Sequence, residues 1–399
     1  MVNRRFAALV GALAVVIAAC TSTGGSAAPS AAASAPASAA AADCTVGVSW
    51  NNFQQPRWAA HDEPGIKDTV EAGGGTYISA DANLSTEQQL TDVTTMLSQG
   101  ADVLIILAED TTVIGPAVQT AKDAGVPVIA YDRLIEDPDV LYITFDNVGV
   151  GKAEAEAILA AVPTGNYVLI KGDPGDPNAS TFLPAGWDEA GLKAKVDAGE
   201  ITILNGPAGG AGTWPDDYGT YTDAWATETA QANMEAIIDK AVADGTTIDA
   251  VLAENDSTAL GVAAALTGKN YDPYPPVSGQ DGDPANLINV AKGLQYVDVW
   301  KNANELGKAA GAAALALCAG GDMASLTLQD GLIDPAVAPT AGLTAQAFET
   351  PGGNSVGSFI LQPTPLTADN LQLAIDGGQV TKEALCAGVD ASSAPPACQ

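Results

Sequence analysis

From Val103 to Leu107 the chain reads Val-Leu-Ile-Ile-Leu, with no polar residue among them. A strand with one wet face alternates apolar and polar side chains, so a run of this kind belongs in a parallel sheet covered on both faces. Around this strand at 101–107, further apolar runs at 45–50, 76–80 and 126–130 alternate with helical stretches at 57–72, 85–99 and 112–124. Ser85, with Gln88 three residues on, has the spacing of a helix N-cap. Such alternation defines a doubly wound α/β domain. The pattern then restarts. Helices at 150–162, 178–198, 224–243 and 256–266 are interleaved with strands at 167–171, 201–204, 248–253 and 277–278, giving a second domain of the same class. A strand at 295–299 and a helix ending at Cys318 follow, and beyond Gly320 the periodicity decays. Residues 335–357, rich in Pro, Gly, Ala and Thr, read as an irregular surface loop. A strand at 358–361 and short helices at 368–375 and 382–385 complete the chain, with a loose end at 392–399 unless Cys398 is bridged.

The segments ahead of this body are of another kind. Arg4 and Arg5 precede an apolar run at 6–19, and Ile17-Ala18-Ala19-Cys20 ends it. Residues 1–19 therefore read as a secretory signal. Ile-Ala-Ala-Cys resembles a bacterial lipobox, in which Cys20 is lipidated and becomes the first residue of the mature chain. Residues 20–43 hold no large apolar side chain that could offset the entropy of ordering them, so they form a disordered Ala/Ser/Pro tether. The body is expected outside the cytoplasm, anchored to the cell membrane by lipid. A formal net charge of −32 repels phosphate backbones and excludes nucleic acid as a partner.

The functional signal lies where strands end. In open parallel sheets, ligands are held beyond the carboxyl ends of the strands. Tyr131-Asp132-Arg133 follows one apolar run and Asp146-Asn147 another, and in the second domain Asn255-Asp256 and Gly279-Gln280-Asp281 follow two more. Arg57, Asp132, Arg133, Asn178, Asn255, Asp256, Asp281 and Lys301 form a set of planar hydrogen-bonding groups, accompanied by Trp58, Trp225 and Trp300. Carboxylates, amides and guanidinium forks grip adjacent hydroxyls in pairs, and indoles pack on C–H faces. Two enzyme-like motifs fail on context. Gly353-Asn354-Ser355-Val356-Gly357 matches a nucleophile elbow but lacks a preceding strand and a following histidine, since the only histidine is His61. Gly149-Val150-Gly151-Lys152 has Asp146 and Ala153 where a P-loop needs glycine and a hydroxyl. No catalytic residues, metal site or cofactor are expected, and the protein reads as a binder rather than an enzyme.

The chain resembles the periplasmic-type sugar-binding proteins of the ribose/galactose class, and within it the D-xylose-binding proteins of ABC transporters. Arg57-Trp58, Tyr131-Asp132-Arg133-Leu134-Ile135, Tyr142-Ile143-Thr144-Phe145-Asp146-Asn147, Asn178-Ala179, Asn255-Asp256-Ser257-Thr258-Ala259, Ser278-Gly279-Gln280-Asp281 and Val299-Trp300-Lys301 carry the resemblance, in the family's order. It departs at Trp300, where relatives commonly have Tyr, in a longer 206–223 segment, and in an apparent insertion at 335–357. The resemblance implies two Rossmann-like lobes joined by a three-strand hinge, the type I periplasmic binding protein fold. The lobes would comprise 44–146 with 298–322, and 147–297 with 323–399, and the crossings would fall near 146–147, 295–299 and 322–328. It also implies that Arg57, Asp132, Arg133, Asn178, Asn255, Asp281 and Lys301 bond a monosaccharide, D-xylose foremost, while Trp58 and Trp225 sandwich its ring. The implied partners are an ABC permease and its ATPase, with the binding protein a monomer. A sugar or furanoside sensor docking on a membrane histidine kinase is the alternative. A sugar-responsive transcription regulator of this fold would need a DNA-binding segment and a basic face, and an extracytoplasmic hydrolase would need a triad.

After Cys20 four cysteines remain, Cys44, Cys318, Cys386 and Cys398, an even set that in an exported chain suggests disulfides. Four cysteines allow three connectivities, and four free thiols are the other reading. If the chain re-enters the first lobe near 295–299, as the resemblance implies, the helix that follows carries Cys318 to the distal edge where Cys44 begins the first strand. The resemblance thus implies Cys44–Cys318 and leaves Cys386–Cys398 to pin the tail on the second lobe.

Overall fold

The computed structural model describes residues 43–329, 331–334 and 343–399. The signal, Cys20 and the tether as far as residue 42 lie outside the described residues, as do 335–342. In the first lobe β1 (Thr45–Trp50), α1 (Glu63–Ala72), β2 (Thr76–Asp81), α2 (Thr86–Ser98), β3 (Val103–Ile106), α3 (Gly115–Asp123), β4 (Val128–Tyr131) and β5 (Val140–Phe145) follow one another. The strands pair in parallel in the order β5-β4-β3-β1-β2. β3 and β4 are buried along their whole length, as the unbroken apolar run requires. Ile66 and Val70 of α1 pack on one face of the sheet, and Val93 and Met96 of α2 with Val118 of α3 on the other. Ser85 caps α2, its side chain accepting from the Gln88 amide.

The second lobe repeats the plan with α4 (Asn147–Ala161), β6 (Gly165–Ile170), α5 (Leu183–Glu189), α6 (Leu192–Asp197), β7 (Ile201–Ile203), α7 (Thr227–Asp244), β8 (Ala250–Ala253), α8 (Asp256–Gly268), α9 (Pro284–Lys292) and β9 (Asp298–Trp300). Its strands run β7-β6-β8, extended through single bridges from Val251 to Val277 and from Gln280 to Val299. The long helix expected at 178–198 is interrupted, because Gly191 takes a left-handed conformation (φ 91°) between α5 and α6. Helix α9 has no counterpart in the sequence reading; Pro284 at its first turn is the signal that marks it.

The remaining chain corrects two expectations. β9 belongs to the second lobe's sheet, and only with α10 (Ala303–Cys318) does the chain return to the first lobe. There α10 lies against α1 closely enough that a Cβ at Gly307 would stand 2.6 Å from the Asp62 carbonyl. The stretch expected to be an irregular loop on the second lobe instead holds β10 (Gln346–Glu349) and the start of β11 (Ser355–Leu361), an antiparallel hairpin. β11 pairs in parallel with β5, so this hairpin completes the first lobe's sheet. Its alternating burial, exposed Ser355 to buried Leu361, was masked in sequence by the glycines of the turn. Ser355 of the nucleophile-elbow pattern is simply the first residue of β11 after that turn. The third crossing consequently falls between β11 and β12 (Thr364–Leu366), which pairs with β9, and not at 322–328. α11 (Gln372–Asp376) and α12 (Lys382–Leu385) then pack with α9 and Trp300 on the second lobe. No helix among the described residues is long and apolar enough to cross a membrane.

Both implied disulfides are present. Cys44 joins Cys318 across a sequence separation of 274, and Cys386 joins Cys398 across 12. The first ties the start of β1 to the end of α10 within one lobe; the second closes the tail on the other. Closing the longer loop removes more freedom from the unfolded chain. Replacing Cys44 and Cys318 together by alanine is expected to lower the unfolding free energy by about 2–5 kcal/mol in chemical denaturation, and by more than the same change at Cys386 and Cys398.

Candidate functional site

The ends of β1, β4, β6 and β8 meet across the lobe interface. After β1 the chain makes a loop and then a π turn at Trp58–Asp62, in which the Glu63 amide donates to the Trp58 carbonyl. After β6 it does the same, with a π turn at Asn178–Phe182 and the Leu183 amide donating to the Asn178 carbonyl. Widened turns of this kind concentrate at functional positions. Here they bring Arg57, Trp58 and Asn178 to the interface. Asp132, immediately beyond β4, Asp281, beyond the 277–280 segment, and Trp225 all take positive φ angles of 61°, 110° and 56°. Non-glycine residues hold such conformations only where the surroundings over-determine them. Trp225 lies flat against Gly172, where a Cβ would come within 2.1 Å of the indole, so that position has room for glycine alone.

A guanidinium is the centre of the charge arrangement. Arg57 is 1% exposed, and its Nε and Nη2 donate to the two carboxylate oxygens of Asp62 at 3.1 and 2.9 Å. Its Nη1 donates to Asp281 of the second lobe at 2.8 Å, and Asp132 lies 3.3 Å away. Tyr131 steadies Asp62 with a 2.6 Å hydroxyl bond. Lys301, at the second crossing, stands 3.1 Å from Asp281 and 3.6 Å from Asp132. Arg133 reaches over the cleft to Asp176 at 2.9 Å and donates to the carbonyls of Ala108 and Glu109, both at 3.0 Å. With these bonds the two lobes are shut on one another.

Burial and the neighbouring charges decide the protonation states. Burial works against the Arg57 charge, yet Asp62, Asp132 and Asp281 more than offset it and hold the group firmly cationic. Burial likewise works against an ionised Asp132, but Lys301, Arg57 and Arg133 keep its carboxyl below the ordinary range. Asp62 is pushed up to about 6 by burial despite Arg57. Behind the site, burial and the nearby Asp281 raise Asp283 to about 7.

One cavity is lined by all nine residues expected to hold a ligand: Arg57, Trp58, Asp132, Arg133, Asn178, Trp225, Asn255, Asp281 and Lys301. Gln55, Asp176 and Gln280 line it too and were not among the expected set. All three are polar residues in strand-end loops, Gln280 directly beside Asp281, so the rule that located the others extends to them. Trp300 is absent from the cavity because it packs against Gly282 and Gly377 in the second lobe's core. Asp256 also lies behind the wall, accepting from the Asp283 amide at 2.7 Å. Asn255 spends its side-chain oxygen on capping α8 through the Thr258 amide, and its amide nitrogen has no protein partner among the described residues. On the lining, Trp58 Nε1, Asn178 Oδ1, Trp225 Nε1 and Gln280 Oε1 are buried without a hydrogen-bond partner, while Asp132 Oδ1 and Arg133 Nε are met by ion pairs alone. Buried polar atoms left unbonded are costly, so this wall is built to meet a ligand carrying both donors and acceptors. Among the described residues no group of three or more His, Cys, Asp or Glu could hold a metal ion.

The fold and the cavity together define a class: a two-lobed binding protein that encloses a small polar ligand. Residues 46–322 match the family model of the periplasmic binding protein domain. The chain belongs to that family. It is 33% identical over 296 residues to the D-xylose-binding periplasmic protein of Escherichia coli strain K12, covering 74% of this chain and 84% of that one. It is 31% identical over 277 residues to a multiple sugar-binding periplasmic receptor of Rhizobium radiobacter, covering 66% and 75% of the two chains. A solved ABC transporter solute binding protein of Clostridium phytofermentans, with bound β-D-glucose, is 32% identical, superposes with a TM-score of 0.73, and shares 86% of this chain and 99% of that one.

The raised carboxyls carry a pH dependence. A buried acid whose native value exceeds its unfolded one, 3.8 for both, stabilises the fold below the unfolded value, and that contribution is lost as pH rises through the native value. Stability of the sugar-free protein in chemical denaturation is therefore expected to fall between about pH 4 and pH 7. Asp283→Asn is expected to reduce that slope across the window, most of all above about pH 6, where Asp62 has lost its proton.

Proposed function

We propose that the chain is the extracytoplasmic substrate-binding lipoprotein of an ABC sugar importer, tethered to the cell membrane through Cys20, and that it closes as a monomer over one monosaccharide, D-xylose foremost. The observation that carries this reading is the shared cavity, with guanidinium and carboxylate groups from both lobes, two indoles, and buried donors and acceptors without protein partners. Adjacent sugar hydroxyls match such groups in pairs, each hydroxyl both donating and accepting. Arg57, Asp132, Arg133, Asn178, Asn255, Asp281 and Lys301 would bond the hydroxyls, while Trp58 and Trp225 would pack on the ring. The names of the relatives, a D-xylose-binding protein and multiple sugar-binding ones, support the sugar class. The paired cysteines fit an oxidising compartment.

A thermal-shift screen over xylose, arabinose, ribose, glucose, galactose and furanosides tests the reading. A ligand at 100 times its dissociation constant stabilises the native state by about 2.7 kcal/mol. For the best sugar, Asp281→Ala or Arg133→Ala is expected to cost roughly 2–5 kcal/mol of affinity, because each leaves a charge buried without its partner. Near wild-type affinity in both variants would remove these residues from the ligand set. Arg57 and Asp132 lie on one lobe and Asp281 on the other, so opening the cleft disperses the set. Small-angle scattering is expected to show compaction at saturating sugar; an unchanged radius of gyration would count against hinge closure.

A further inference from the structure

Beside the first cavity lies a second, larger chamber. Its walls include Gln54 and Gln55 from the loop after β1, Thr227 and Glu228 at the start of α7, and Ser257 in the first turn of α8. Gln55 and Trp225 line both chambers, so the two adjoin at those side chains. With the lobes shut, the free space is about 20 Å³ in the first and about 340 Å³ in the second. Ligand pockets generally measure roughly 300–1,000 Å³, so the second has room for a small ring as it stands, while the first must widen to admit one.

We infer that the cleft also accepts a sugar extended by a second ring, a disaccharide or glycoside, with one ring in the first cavity and the other in the chamber beyond Gln55 and Trp225. This rests on the sugar reading above and extends its substrate class. Three observations carry it. The chamber persists with the lobes shut, Arg57 still bonded to Asp281 at 2.8 Å and Arg133 paired with Asp176 at 2.9 Å, so a second ring would not prop the cleft open. The Gln55 side chain, 6% exposed, makes no hydrogen bond among the described residues, and can turn aside at little cost to join the two spaces. The chamber's far wall is polar and partly unsatisfied: α7 is preceded by Ala226, which offers no side-chain cap, so the first amides of that helix remain as donors for hydroxyls.

Titration calorimetry with D-xylose, D-glucose, xylobiose and cellobiose tests this. At least one disaccharide is expected to bind within about tenfold of its monosaccharide. Thr227→Trp fills the chamber without touching the first cavity. It is expected to weaken that disaccharide by about tenfold or more and to leave the monosaccharide unchanged. Glu228→Ala, milder at an exposed helix position, is expected to weaken the disaccharide alone by a few-fold. Monosaccharide binding with neither disaccharide bound, or variants that alter both ligands equally or neither, would overturn the inference and leave the sugar reading standing. Heat with none of the four sugars, joined to an empty thermal-shift screen, would overturn the sugar reading and this inference with it.

Discussion

One buried guanidinium organises this molecule. Arg57 faces Asp62 and Asp132 from its own lobe and Asp281 from the other, with Lys301 of the crossing segment behind. Without it three carboxylates would stand buried close together, and burying uncompensated charge is among the most costly things a fold can do. A buried ion pair seldom adds much net stability over an apolar replacement of the same shape, since desolvation cancels most of the attraction. Its value here is geometric. Arg57 can satisfy all its acceptors only when the lobes meet in one arrangement, and when they part, water takes over the bonds that Asp281 and Arg57 lose. Charges exchanged between protein and solvent in this way would keep an open and a shut arrangement of the lobes close in free energy.

The two lobes solve the same local problem in the same way. In each, the first strand feeds a polar loop, then a π turn, then a helix, at Trp58–Asp62 and at Asn178–Phe182. The wider turn shifts the side chains at its start relative to a regular helix, so groups beyond the strand end face the interface instead of following the helix surface. Positive φ angles at Asp132, Trp225 and Asp281 do the same on a smaller scale. Irregularity of this kind gathers at the cleft, while β3 and β4 behind it are buried along their whole length.

The apolar runs and their alternation with helices were legible in the sequence because burial on both faces of a parallel sheet leaves a plain signature, as at Val103 to Leu107. The cleft residues were legible because polar groups just past buried strands have few other reasons to be there, and the family resemblance ordered them. The strand expected at 358–361 is the second half of β11, but β10, the start of β11 and the place of the third crossing were missed. Those strands are short and rich in small residues, and their place in the first lobe's sheet depends on pairing with β5, some two hundred residues earlier in the chain. Local propensity carries no information about such a partner. Gln55, Asp176 and Gln280 were passed over although they too stand in strand-end loops, because the rule marks the loop and not which of its side chains turn into the cavity.

Cys44 immediately precedes β1, a strand held between β2 and β3. A load applied to the chain ahead of it would ordinarily peel β1 from its neighbours one hydrogen bond at a time. The bond to Cys318 diverts that load into α10, which spans the first lobe's core beneath the sheet. Tension on the leading segment would therefore be borne by two elements of the first lobe at once, at the edge far from the cleft.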